Sequence, residues 1–118
     1  MTTTPHATTT PSLYAATRAT ITALPWEPVP GCTGVSSKVA CRADGDVAGL
    51  LRLAPGSAEV QHLHEHGEHH AWVLTGTVYV GDQELPEGSY VHAPVGVAHA
   101  LRDAGAGSTL FYVFHQAR

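Results

Sequence analysis

The sequence predicts a single all-β domain, built as a jelly roll or a small barrel. Its 118 residues, 43% of them apolar, suffice for one hydrophobic core but not for two domains. Short β-prone runs alternate with Gly, Pro and Asp turns about every eight to twelve residues, a spacing typical of sandwiches and barrels. None of these runs keeps a 3.6-residue period, so no long helix is expected.

The composition argues against nucleic-acid and membrane partners. The formal net charge is -4 and Lys38 is the only lysine, which leaves no basic surface for phosphates or anionic lipids. No apolar run approaches the roughly 18 residues of a membrane span. The N-terminal sequence lacks the basic and apolar regions of a secretory signal, so a cytoplasmic protein is predicted. Cys32 and Cys41 lack CxxC spacing and are expected to be buried free thiols.

The elements are predicted in order along the chain. Residues 1–18 are rich in Thr, Ala and Pro, and we expect a disordered or loosely attached arm before a barrel over residues 19–118. Ala43–Asp46 is predicted to join the first two strands as a hairpin turn, because Gly45 accepts a positive φ. The predicted strands are Val35–Arg42, Val47–Leu53, Ala58–His64, His70–Val80, Ser89–Ala93, His99–Arg102 and Thr109–His115.

A histidine cluster is the most informative feature of the sequence. Five of the nine histidines lie between His62 and His70. The two-residue period of a strand places His62 and His64 on one face, where two imidazoles can bind the same metal ion. A further ligand must then come from another part of the sheet, and the candidates are Glu68, His69, His70 and His99.

Two spaced motifs surround these histidines. The first consists of Gly56, His62, His64, His69 and Gly76, and the second of Gly88, Pro94, Gly96, His99 and Asp103. In spacing and order they resemble the two motifs of the cupin superfamily, over roughly residues 35–115. Two positions differ from the usual pattern, since His69 replaces a glutamate and Asp103 an asparagine. The resemblance implies the cupin double-stranded β-helix, a jelly-roll barrel with one metal ion at its mouth.

The resemblance leaves two candidates for the usual glutamate position. Glu68 satisfies the shorter form of the first motif, whereas His69 keeps the six-residue spacing to Gly76. Strand alternation places Glu68 and His70 on the face opposite His69, so only one set can face the barrel interior. The spacing to Gly76 favours His69. The ligand set that the resemblance implies is therefore His62, His64, His69 and His99.

Four neutral imidazoles would leave a divalent ion its full charge and favour anionic, chelating oxygen ligands. The resemblance implies one divalent ion, with Fe²⁺ or Zn²⁺ expected first and Ni²⁺ or Mn²⁺ as alternatives. With Fe²⁺, we expect dioxygenase-type cleavage of a diketone or an aryl ketone. With Zn²⁺, the protein would be a cyclase or isomerase. The alternative from another class is a non-catalytic, metal-bound sensor or binding protein for a small molecule.

Further expectations concern catalytic groups and assembly. Glu68, His70 and Tyr79 are the candidate acid or base groups, although the sequence does not determine which way they face. The apolar runs Leu50–Leu53 and Trp72–Leu74 predict a homodimer, because their exposed side chains need cover. The expected partners are thus a small-molecule ligand or substrate and a second copy of the chain.

Overall fold

The computed structural model describes residues 6–8 and 13–117. Within these residues the chain forms one short helix and two β-sheets, in agreement with the predicted all-β jelly roll. The elements are β1 (His6–Thr8), α1 (Arg18–Ala23), β2 (Glu27–Pro28), β3 (Val35–Ala43), β4 (Asp46–Leu53), β5 (Gly67–Thr75), β6 (Val78–Val80), β7 (Gln83–Leu85), β8 (Tyr90–Ala93), β9 (Arg102–Asp103) and β10 (Ser108–Gln116). The large sheet has the order β1-β3-β4-β10-β5-β8 with β2 on β3, and the small sheet the order β7-β6-β9.

The predicted hairpin turn joins β3 to β4. Asp44 and Gly45 both have positive φ, 50° and 86°, as a two-residue type I′ turn requires. The turn fixes Ala43 opposite Asp46. The strands on either side of it, together with β8 and β10, end within one residue of their predicted bounds.

The prediction of continuous strands over residues 58–64 and 99–102 is wrong. The two segments do run side by side, but their ladder is reduced to the isolated bridges Ala58↔Arg102 and His62↔His99, and the second segment keeps only β9. A side chain interrupts the ladder, because the Leu101 N–H donates to Glu59 Oε1 at 2.9 Å. An irregular backbone therefore carries three of the four histidines of the motifs.

The predicted strand His70–Val80 is divided into β5 and β6 at Gly76. Gly76 has a φ of 81°, and a Cβ at this position would lie 2.3 Å from the Gly107 carbonyl oxygen. Only glycine accepts both this conformation and this close approach. β5 therefore ends at Thr75, and it begins three residues earlier than predicted, at Gly67.

Inward-facing side chains close one end of the barrel and line a cavity at the other. Along β10, Leu110 is fully buried in the core, whereas Phe114 lines the cavity. Along β5, Val73 lies in the core and His69 in the cavity wall. Because alternate residues of a strand share a face, each of these strands passes from a packed core to an open pocket.

The N-terminal segment adds a strand to the edge of the large sheet and contacts β3 through α1. Its residues 6–8 pair in parallel with β3, while residues 1–5 and 9–12 of the predicted arm lie outside the described residues. Thr17 caps α1 by accepting a hydrogen bond from the Thr20 N–H. Lys38 donates to two carbonyls at the end of α1 and lies 4.5 Å from the Trp26 ring. No helix in the described part of the chain has the length and apolar character needed to cross a bilayer.

The Asp103 carboxylate organises the loops at the closed end. Its Oδ2 accepts hydrogen bonds from the backbone N–H groups of Gly56, Gly105 and Gly107, and its Oδ1 accepts one from the Ser108 hydroxyl. Burial raises the pKa of Asp103, but these four hydrogen bonds outweigh it and hold the pKa below its usual value. The carboxylate is therefore charged in the folded protein, and both of its oxygens accept hydrogen bonds.

Asp103→Ala should lower the free energy of unfolding by roughly 2–3 kcal/mol, because three part-buried N–H groups and the buried Ser108 hydroxyl lose their acceptor. Asp103→Asn should cost only about 1 kcal/mol, since the amide oxygen can still accept and its NH₂ can donate to Ser108. The pKa of Asp103 lies below its unfolded value of 3.8. The difference in free energy of unfolding between wild type and Asp103→Asn should thus be complete above that pH and vanish as the pH falls below it. Urea unfolding of both proteins between pH 7 and about pH 3 tests this; a pH-independent difference would contradict it.

Candidate metal centre

Four histidines converge at the inner end of the cavity. One ring nitrogen from each of His62, His64, His69 and His99 lies within 4.8 Å of the other three. His69 belongs to β5, whereas the other three come from the two irregular segments. A tetrahedral ion bound about 2.0–2.1 Å from each nitrogen needs donors at this kind of separation.

Backbone pairing holds the histidines from the two motifs together. The His62 N–H donates to the His99 carbonyl at 3.0 Å, and the His99 N–H donates back to the His62 carbonyl at 2.8 Å. Each ring is also oriented by a carbonyl, since Nδ1 of His62 donates to Val60 O at 2.7 Å and Nδ1 of His99 to Val97 O at 2.9 Å. The proton on Nδ1 leaves Nε2 unprotonated in a neutral ring, which is the form that binds a metal.

The electrostatics keep the imidazoles of His64 and His69 neutral. Burial, together with the neighbouring rings of His64 and His99 and then those of His62 and His70, lowers the pKa of His69 to about 4. Burial, and then the rings of His62 and His99, also lowers the pKa of His64. Both side chains are therefore unprotonated at pH 7, and metal binding has no proton to displace from them.

Two of the ring nitrogens lack the hydrogen-bond partners that buried polar atoms normally have. His64 Nε2 and His99 Nε2 are buried without any hydrogen-bond partner among the described residues. Buried polar atoms are rarely left unpaired, and each one costs free energy. A divalent ion accepts electron pairs from several imidazoles at once, so these residues could hold a metal ion.

The cavity above the histidines has a volume of about 740 Å³ and a mainly apolar wall. Its wall includes Val29, Val39, Leu51, Ala71, Val91, Leu101 and Phe114. The exposed lining residues Pro30, Gly31, Arg42 and Val60 mark its mouth. Such a pocket can enclose a small molecule with an apolar body and bring its polar end to the histidines.

Sequence reasoning missed three ionisable groups in the cavity wall: Arg42, Glu59 and Tyr112. Arg42 is the one lysine or arginine among the described lining residues. Burial raises the pKa of Glu59, although the Leu101 N–H and the nearby His62 and His99 oppose the shift. Burial also raises the pKa of Tyr112, whose hydroxyl is hydrogen bonded to Ser37. The alternation of β10 could have identified Tyr112, but no periodic pattern places Glu59 inside, because its segment is irregular.

The predicted acid and base candidates lie elsewhere. Glu68 and His70 are on the outer face of β5, where they form a separate cluster with His92. Tyr79 lies on β6 in the small sheet, with the Arg102 guanidinium 4.5 Å from its ring centre. None of the three lines the cavity. The orientation that the sequence left undetermined therefore places all three candidates outside this cavity, and for the two β5 residues the cause is strand alternation.

Both cysteines are free and half-buried. Cys32 lines the cavity near its mouth, and its Sγ accepts a hydrogen bond from the Val60 N–H at 3.3 Å. This bond joins the loop before β3 to the segment that carries His62. The two cysteines are therefore not paired as a disulfide.

A family model described as the ChrR cupin-like domain matches residues 15–118. The chain belongs to this cupin family. The match spans both motifs and all four convergent histidines. No curated protein sequence matches the chain significantly.

Solved structures share the barrel of this cupin. The polyketide cyclase RemF from Streptomyces resistomycificus matches with a TM-score of 0.73 and 22% identity, over 91% of this chain and 81% of that one. KdgF from Halomonas sp. matches with a TM-score of 0.68 and 20% identity, over 80% and 89%. A chain of the Rhodobacter sphaeroides complex of SigE with the anti-sigma ChrR matches with a TM-score of 0.64 and 20% identity, over 76% of this chain and 47% of that one. At these identities the likeness shows the fold alone.

A His62→Ala/His64→Ala variant should lose tight metal binding, because two of the four donors are removed. His66→Ala is the matched control, since His66 is an exposed histidine of the same segment that belongs to neither histidine cluster. With Zn²⁺ at about 100 times the dissociation constant, wild type and control should gain roughly 2.7 kcal/mol of stability that the double variant does not. Elemental analysis after dialysis and thermal unfolding measure this. Tight stoichiometric metal in the double variant would rule out these ligands.

Proposed function

We propose that this cupin is a metal-dependent enzyme for a small, anionic, chelating substrate with an apolar body. The observation that carries the proposal is the donor set: four imidazoles with no carboxylate among them, at the end of an apolar cavity. When bound by His62, His64, His69 and His99, a divalent ion would supply an undiminished positive charge, and Fe²⁺ would add the capacity to react with O₂.

The cavity wall supports the choice of substrate. Arg42 at the mouth attracts an anion, and its charge is the only permanent positive charge that the described lining residues offer. The apolar side chains beyond it favour a hydrocarbon or aryl body and exclude water from the histidines. An enolate, a β-diketonate or a catecholate combines both properties.

We assign dioxygenase-type cleavage of a diketone or an aryl ketone as the reaction. For a β-diketone, one O₂ is consumed per molecule, one carbon–carbon bond breaks, and both oxygen atoms enter the products, a carboxylic acid and an α-keto aldehyde. The substrate must first lose the proton of the carbon between its carbonyls. Glu59 is the carboxyl group of the cavity wall, and its raised pKa suits it to accept that proton.

Two other functions have specific support. The likeness to RemF over 91% of this chain favours a zinc-dependent cyclase or isomerase, which would use the same cavity without O₂. The match to the ChrR cupin-like family favours a metal-bound sensor that signals through a partner protein. The identity of the metal separates both from the dioxygenase, because Zn²⁺ has no redox chemistry.

The deciding experiment begins with elemental analysis of protein purified without added metal. The protein is then loaded anaerobically with Fe²⁺ or Zn²⁺ and mixed with a β-diketone or an aryl ketone, and O₂ uptake is followed with an electrode. We expect one O₂ per substrate for the Fe²⁺ form and none for the Zn²⁺ form, with the carboxylic acid detected by mass spectrometry. Purified protein that contains zinc and takes up no O₂ after loading with Fe²⁺ would exclude the dioxygenase.

His69→Glu and Arg42→Gln should both weaken the binding of anionic chelators. The first adds a carboxylate to the donor set, and the second removes the positive charge at the mouth. About 1.4 kcal/mol of lost attraction corresponds to a tenfold higher dissociation constant, and we expect roughly that for each variant. Titration of a β-diketone or catechol into protein loaded with one metal measures it by heat or by absorbance. Arg102→Gln, which removes a charge outside the cavity, should bind like wild type. Equal affinity in His69→Glu and wild type would contradict the proposed charge effect.

We also propose that two copies of this cupin pair through the apolar part of the outer face of the large sheet, around Trp72 and Leu74. Leu53 and Val73 of the predicted apolar runs lie in the barrel core, so only alternate residues of those runs are available. Among these, Trp72 and Leu74 are 40% and 44% exposed, and the neighbouring Tyr90 is 46% exposed. Exposed aromatic and aliphatic groups side by side are typical of an interface.

Trp72→Glu should separate such a pair, because it places a charge in the centre of the apolar face. Light scattering should give twice the 12.4 kDa chain mass for wild type and the single mass for Trp72→Glu. Leu63→Glu adds the same charge at an exposed leucine that is 45% accessible and lies on neither sheet, and it should leave the pair intact. A wild-type mass of one chain at micromolar concentration would refute the pairing.

A further inference from the structure

The outer face of β5 and β8 carries a second group of convergent donors. Glu68, His70 and His92 each offer an atom within 4.8 Å of the other two. We propose that these three side chains form a second site for a divalent transition-metal ion, outside the cavity. This proposal is independent of the enzymatic function proposed above.

The pairing of β5 with β8 creates this arrangement. His70 lies directly opposite His92 in the antiparallel register, and Glu68 lies on the same face two residues before His70. The two imidazole rings are parallel within 5°, with their centres 4.5 Å apart. Both Nε2 atoms face a single carboxylate, His70 at 3.1 Å from Oε1 and His92 at 3.0 Å from Oε2. An ion near this carboxylate could replace both hydrogen bonds after only small movements of the side chains.

Tyr90 provides the support that a metal-binding histidine normally has. Its hydroxyl is hydrogen bonded to Nδ1 of His70, so Nε2 of the same ring is directed at Glu68. Histidines that bind metals almost always donate the second ring N–H to such a partner, which fixes the tautomer and the ring orientation. Without an ion, Nε2–H donates to Glu68. When an ion replaces that hydrogen bond, the proton can sit on Nδ1 and donate to the Tyr90 hydroxyl, which leaves the Nε2 lone pair for the ion.

The donor set selects the class of ion. Two imidazoles and one carboxylate favour Zn²⁺, Co²⁺, Ni²⁺ or Cu²⁺ over Mg²⁺ and Ca²⁺, which prefer oxygen donors. The side chains of His70, Glu68 and His92 are 26%, 30% and 40% exposed, so further coordination positions are open to solvent. With three accessible donors instead of four enclosed ones, this site should bind more weakly than the barrel histidines.

The two sites can be emptied separately, because β5 alternates its donors between them. His69 faces the barrel, while Glu68 and His70 on either side of it face outward. An ion on the outer face would join β5 to β8, the strand that leads into the turn before His99. It would contact no residue of the cavity wall.

Metal titration of the tag-free protein tests the proposal. Calorimetry and equilibrium dialysis with Zn²⁺, repeated with Co²⁺, should give two equivalents per chain, one tight and one weaker. In His92→Ala and Glu68→Gln, the dissociation constant of the weaker equivalent should rise at least tenfold while the tight one is unchanged. Tyr90→Phe should raise it by roughly tenfold, the usual effect of removing the partner of a ligand. His62→Ala/His64→Ala should lose the tight equivalent and keep the weaker one.

His115→Ala is the matched control, because His115 lies opposite Glu68 on β10 but bonds to Asp46 and belongs to neither cluster. It should keep both equivalents. A single equivalent in wild type would overturn the proposal, as would a second equivalent that survives both His92→Ala and Glu68→Gln. Retention of the tight equivalent shows that a variant is folded. If His92→Ala fails to fold, Glu68→Gln, which keeps the size and hydrogen bonding of the side chain, tests the second site alone.

Discussion

The reciprocal backbone pairing of His62 with His99 is the interaction on which the candidate metal centre depends. It joins two segments that are 37 positions apart and that form no continuous ladder elsewhere. The Asp103 carboxylate fixes the ends of the same two segments, since it accepts from Gly56 just before one and lies at the end of the other. Core packing alone would not align the rings, because these segments contribute little to the core. These hydrogen bonds thus hold His62, His64 and His99 in position, as regular strand pairing holds His69.

Without an ion, the histidine centre costs the folded state free energy. Burial and mutual repulsion lower the pKa of His69 and His64, and two Nε2 atoms lie buried without a partner. An apolar residue at any of these positions would avoid the unpaired nitrogen. Unpaired nitrogens in an otherwise apolar pocket are expected where the binding of a metal ion supplies the missing stabilisation. Asp103 is the opposite case, a buried charge whose partners all come from the chain.

The sequence predicts the parts of this structure that follow a period or a spacing. Alternation and turn residues locate β3, β4, β8 and β10 within one residue, and the motif spacing identifies the four convergent histidines. The parts that it misses depend on individual side-chain contacts. Glu59 enters the cavity wall because its carboxylate replaces a backbone acceptor for Leu101, and no local pattern anticipates that exchange. Arg42 lines the cavity from the end of β3, beside a bulge in the pairing with β4 that alternation alone does not foresee.

The register of β5 decides which of its donors face the barrel. Thr109 of β10 pairs with Thr75, but Leu110 pairs with Val73, so Leu74 is an extra residue on β5. After this bulge the inward residues Leu110, Tyr112 and Phe114 face Val73, Ala71 and His69. Without the bulge the same three would face Leu74, Trp72 and His70, and Glu68 would also turn inward. Gly76 adjoins the bulge and packs against the Gly107 carbonyl, where no side chain fits. The spacing from His69 to Gly76 therefore has a physical basis: the glycine contact anchors the end of β5, and the bulge sets the alternation that follows.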